Sequence, residues 1–151
     1  MILRKLSFPV ILSLILSCNS ATNENRNEHH DESVADTTLA LNNNARWIMD
    51  SITNHHFIEL HEMTNMFHVD PFPPVNAYQT YGKDMTNGIN KMIQDCKMQG
   101  KAHEMLHHWL NPVIRQSHEL SSITDTTLAR KISDSLHVRV DRFTQYFEEA
   151  Q

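Results

Sequence analysis

The sequence predicts an all-α fold, an up-down-up-down four-helix bundle preceded by a disordered tether. Three observations lead there. Four segments repeat apolar residues at helical spacing, none alternates as a strand would, and the breaks between segments are short enough to make sequential helices antiparallel neighbours.

Ahead of the bundle, Met1-Ile-Leu-Arg4-Lys5 is followed by an apolar run from Leu6 to Leu16, interrupted only by serines and Pro9. A positive start and a hydrophobic stretch too short to span a bilayer read as a secretory signal peptide over residues 1–17. Ile15-Leu16-Ser17-Cys18 resembles a bacterial lipobox, with Leu16 bulkier than the usual small residue. It implies cleavage before Cys18 and acylation of that cysteine with chains such as palmitate, so the membrane would be reached through a lipid anchor. Residues 18–43 are rich in Asn, Thr, Glu, Asp and His and have little to bury, which is the composition of a disordered linker.

The bundle domain is expected over residues 44–151. Its first helix, roughly 43–68, gathers Ile48, Ile52, His56, Met63 and Met66 on one side at about 100° per residue. Asp70-Pro71-Phe72-Pro73-Pro74 ends it, because proline removes a helical donor and clashes with the preceding turn. The second, roughly 75–96, stacks Tyr78, Tyr81, Met85, Ile89, Met92 and Cys96, with Gly100 closing the hairpin. The third, roughly 101–120, places Leu106, Leu110, Val113, Ile114 and Ser117 together, with Trp109 at the margin and Pro112 inside. The fourth, roughly 125–150, opens on Thr and Asp residues able to cap it and lines up Leu128, Ile132, Leu136, Val140, Phe143 and Phe147.

Charge narrows the partners. The chain carries a net charge of −5; losing Arg4 and Lys5 with the leader leaves 11 basic against 18 acidic residues, or −7. That sign argues against nucleic acid. The expected location is the cell envelope, on a periplasm-facing membrane, and the expected partners are the lipid bilayer, a metal ion and an envelope protein.

The stretch with most chemistry is Cys96-Lys-Met98-Gln-Gly-Lys-Ala-His103-Glu-Met-Leu-His107. A thiol, a thioether and two imidazoles are the donors that copper and zinc prefer. Cys96 ends the second helix, and His103 and His107 begin the third one turn apart, so a hairpin around Met98 and Gly100 lets the donors meet. The expected site is Cys96 as thiolate, His103 and His107 as imidazole ligands and Met98 as soft axial donor. It would bind or buffer copper, Cu(I) first, with zinc as the alternative ion. The competing reading is a core thiol beside hydrogen-bonded histidines, in an envelope protein-interaction module that holds no metal.

The run Cys-x-Met-x-Gly-x-x-His-x-x-Leu-His, with Trp109 and Pro112 after it, also resembles a group of small bacterial helical lipoproteins. The likeness is close over 96–112 and loose over 47–147. It implies a periplasmic helical domain and carries no activity with it.

Other constellations weigh less. His55-x3-Glu59, His103-x3-His107 and His137-x3-Asp141 suggest a di-iron bundle, but His137 and Asp141 project away from their helix's apolar stripe. A haem held by Met and His fits the residue types without being selected by them. Met49, His56 and Met63 recur every seven residues, as core filler or as a second copper-handling stripe. Among hydrolytic signatures there is no Gly-x-Ser-x-Gly, phosphate-cradling glycine loop or His-Glu-x-x-His, so no enzymatic activity and no catalytic residue is expected.

Overall fold

A computed structural model of the chain describes residues 39–150. The expected signal peptide, the expected lipidation site Cys18 and most of the expected linker lie outside the described residues. Four helices form a bundle: α1 (Ser51–Phe67), α2 (Val75–Asp95), α3 (Gly100–Ser122) and α4 (Thr126–Asp141), followed by a single turn, α5 (Phe143–Tyr146). Each helix packs on the next in sequence, and α4 closes back on α1. His61 meets Asp141 and His68 meets Asp134 across that closing seam, which fixes α1 and α4 as antiparallel.

The first helix starts later than periodicity predicts. Asp50, in extended conformation, accepts a hydrogen bond from the Thr53 N–H at 2.7 Å, satisfying a donor that the first turn leaves orphaned. Residues before it are strand: β1 (Trp47–Met49) pairs in parallel with β2 (Phe147–Glu149). Three-residue strands are too short to show alternation, so their residues read as continuations of the flanking helices. Ile48 consequently belongs to β1, and Met66 points outward in the last turn of α1; both are exposed. The buried face of α1 is instead Thr53, His56, Phe57, Leu60 and Thr64, an i, i+3, i+4 series.

The stripe of α2 is buried from Tyr78 to Met92. Gly82 is the crossing point with α3, since a Cβ there would come within 2.7 Å of the Ser117 carbonyl oxygen and 2.5 Å of the Ser121 nitrogen. The α3 helix runs through Pro112, and Trp109, expected at the margin, lies at the centre of the core. Its indole N–H donates to the Arg139 carbonyl at 3.0 Å, one of the last carbonyls of α4 and therefore short of helical partners.

On α4 the buried series is Ala129, Ile132, Ser133, Leu136 and Val140, which leaves Leu128 exposed. Asp125 caps the helix by accepting from the Leu128 N–H at 2.9 Å. The helix stops at Asp141, and the chain turns so that Phe143 stacks on Phe57 at 4.2 Å and on Phe147 at 4.6 Å, with Trp109 edge-on at 4.6 Å. Aromatic contacts of this kind contribute about 0.5–1.5 kcal/mol beyond buried area, which makes Phe143 the hub joining α1, α3 and the β pair.

Candidate metal centre at the α2–α3 turn

Cys96 leaves α2 as its C-cap, its N–H donating to the Met92 carbonyl at 3.0 Å. Gly100, where α3 begins, has φ 63°, in the left-handed region that glycine enters without steric cost. This is the turn that the glycine was expected to permit, and it brings the end of one helix beside the start of the next.

Two residues of α1 and its cap hold the turn. The second carboxylate oxygen of Asp50 accepts the Lys97 N–H at 2.9 Å, so one side chain both caps α1 and pins the residue after Cys96. Burial alone would push the Asp50 carboxyl up; the Thr53 backbone and hydroxyl, the Lys97 N–H and the Lys97 charge outweigh it and bring it below the usual carboxylate range. Deeper in, the buried ring of His56 spans Glu59, at 3.1 Å from Nδ1, and Asp95, at 2.9 Å from Nε2. Asp95 is the last residue of α2, so this bridge fastens the helix end to α1 immediately before Cys96.

Within the turn the thiol and imidazoles form a line. Sγ of Cys96 lies 3.6 Å from Nδ1 of His103, and Nε2 of His103 lies 2.9 Å from Nε2 of His107. The two rings stand at 85° with centroids 4.5 Å apart. Because Nδ1 and Nε2 occupy opposite edges of an imidazole, His103 sits between the thiol and His107. The Nε2 to Nε2 contact needs one proton between two lone pairs, so one ring donates and the other accepts. Desolvation, then the positive charges of His103 and His108, hold His107 below the usual histidine range, favouring the neutral ring that can accept or ligate.

Met98 is half-buried and packs against the apolar core at the same turn. Cys96 and His103 are half-buried and His107 is exposed. Among the described residues, no group of three or more His, Cys, Asp and Glu is arranged to hold a metal ion as the side chains stand. The donors predicted from sequence are thus neighbours in a chain, Cys96 to His103 to His107, without converging on one point. The local pairs of the di-iron reading, His55 with Glu59 at 3.5 Å and His137 with Asp141 at 3.3 Å, likewise form no such group.

Sequence reasoning missed Asp50 and Asp95. The first carries a readable signal, an Asp before a helix, but its second oxygen serves a residue 47 positions away. The second is an unremarkable acid on an exposed helix end until His56 is seen opposite. No helix among the described residues is long and apolar enough to cross a membrane. Compared with known families, curated proteins and solved structures, the chain finds no match.

Proposed function

We propose that this protein is a lipid-anchored, periplasm-facing helical bundle that binds and buffers copper as Cu(I), through Cys96, His103 and His107 with Met98 as an added soft donor. The observation that supports the reading is the contact of the half-buried thiol with His103, whose other ring edge meets His107 at the same turn. Thiolate and thioether favour Cu(I) over harder ions, and His107 is held in the neutral form that ligates. Nδ1 of His103 already lies beside Sγ, and breaking the His103–His107 contact would free the His107 ring to turn toward the same point. The Asp50 and His56 bridges keep the backbone of the turn in place while the side chains rearrange. Met98 would have to leave its packing on the core to join them.

The test is an anaerobic titration of the full-length protein with Cu(I) against a chromophoric competitor, repeated on Cys96→Ser and His103→Ala. A one-to-one site lost in both variants is the expected result. Binding unchanged in Cys96→Ser would end the proposal. The second reading, a protein-interaction module, is favoured by one observation at the other end of the bundle, where Met66, Val69 and Phe72 are 77%, 81% and 82% exposed. It takes over if Cu(I) is not bound and substitution of Phe72 abolishes association with an envelope protein.

A further inference from the structure

The seam between α1 and α4 carries a second concentration of ligating side chains, none of which touches the Cys96 turn. His61 projects from α1 and places Nε2 at 3.0 Å from one carboxylate oxygen of Asp141. His137, one turn before Asp141 on α4, places its own Nε2 at 3.3 Å from the other oxygen. One carboxylate therefore sits between two imidazoles from opposite sides of a helix–helix interface.

We propose that this seam is a separate binding site for a borderline divalent cation of the Zn(II) class, with His61, His137 and Asp141 as its ligands. In a tetrahedral zinc site with bonds of about 2.0–2.1 Å, neighbouring donors are about 3.3–3.4 Å apart. Each nitrogen lies near that spacing from a different oxygen of the Asp141 carboxylate, at 3.0 and 3.3 Å, so a small turn of the side chains is needed to bring the three donors around one ion. His137 and Asp141 are four residues apart on one helix, so they form a chelating pair on a rigid scaffold. His61 supplies the third donor from the partner helix, and with nitrogen and oxygen alone the set suits zinc better than Cu(I).

The surroundings prepare the nitrogens. The His68 ring lies tilted at 53° against His137, with centroids 4.2 Å apart, and limits how that ring can turn. Nδ1–H of His68 donates to the Thr64 carbonyl at 2.8 Å, which leaves its Nε2 to accept from the Ser133 hydroxyl at 3.2 Å and fixes that ring's tautomer. Asp134 lies 3.6 Å from the same Nε2 and completes the titratable groups around His137, with His61, His68 and Asp141. Desolvation and the neighbouring His68 hold His137 below the usual histidine range against the opposing pull of Asp141.

In the metal-free seam the carboxylate accepts an N–H bond from His61 and lies within ion-pair distance of His137, and no three donors share a point. Binding exchanges that hydrogen bond and the His137–Asp141 contact for one ion. Nε2 of His61 gives up its hydrogen bond to Asp141, its ring proton moving to Nδ1, and the freed lone pair turns to the metal.

The experiment uses the full-length, metal-free protein carrying Cys96→Ser, so that the outcome does not depend on the thiol site. Zn(II) alone is titrated against a chromophoric chelator, and zinc-dependent thermal stabilisation is recorded with it. One equivalent should bind, and both His61→Ala and Asp141→Asn in the same background should weaken it by more than about tenfold and abolish the stabilisation. Circular dichroism of the two variants without zinc should match the parent, because the pairs lost are partly exposed. Failure of the Cys96→Ser protein to bind zinc, or binding that neither substitution weakens, would overturn the proposal.

Discussion

The α2–α3 turn and the α1–α4 seam both bring imidazoles together, and they do so by opposite routes. At the turn, His103 and Cys96 are seven residues apart, and a hairpin is enough to join them. At the seam, His61 and Asp141 are 80 residues apart and meet only because the fourth helix returns antiparallel to the first. The donors differ in kind as well, sulfur and nitrogen at the turn against nitrogen and carboxylate at the seam. The bundle carries side chains of different softness on separate surfaces, one set placed by local geometry and the other by topology.

The most severe way to break the comparison is Phe143→Ala. Removing a fully buried ring between α1, α3 and the β pair should cost about 3–5 kcal/mol and disable both regions together, which chemical denaturation would register as a lower midpoint. Gly82→Ala should cost about 1–3 kcal/mol, because the new methyl meets backbone on α3 rather than a movable side chain. It tests whether strain where α2 crosses α3 reaches Cys96 while leaving the α1–α4 seam intact.

Asp50→Ala sharpens the contrast. Losing an N-cap costs about 1 kcal/mol, and here it also frees Lys97; Cu(I) binding should weaken while the seam's zinc response stays unchanged. Asp141→Asn acts on the seam alone, and without metal it should alter stability by less than about 1 kcal/mol, since its ion pairs are partly exposed.

The smallest effect is one that the two regions share. His107 and His137 are both held below the histidine value of 6.5, so between that pH and their folded-state values the unfolded chain binds more protons. Both groups therefore make stability fall as pH drops below 6.5 and neither alters it above. Asp50 adds a separate loss only at lower pH, as its carboxyl, with a usual value of 3.8, becomes protonated. A denaturation series from pH 8 to 3 on the parent, H107A and H137A would separate the histidine contributions.

What the sequence made legible follows the same division. The bundle, the α2 stripe and the left-handed turn at Gly100 all follow from local spacing, and so does the nearness of Cys96, His103 and His107. Spacing could not reveal on which edge of the His103 ring each neighbour would lie, and that detail decides between a line of donors and a closed set. His137 and Asp141 looked outward from their helix, correctly; what periodicity cannot encode is that a neighbouring helix presents His61 and His68 to that same side. Ile48 and Leu128 were misplaced because a three-residue strand and a first helical turn each hold too few residues for a period to register.

The parallel pairing of Trp47–Met49 with Phe147–Glu149 has a kinetic consequence. Its hydrogen bonds join segments 100 residues apart, so loop closure makes it unfavourable until the helices between have packed. The strands work as a latch that shuts last. A chain shortened ahead of Phe147 would keep four helices yet leave Met49 and Phe143 without their cover, and proteolysis should find the segment before α1 long before it finds the helices.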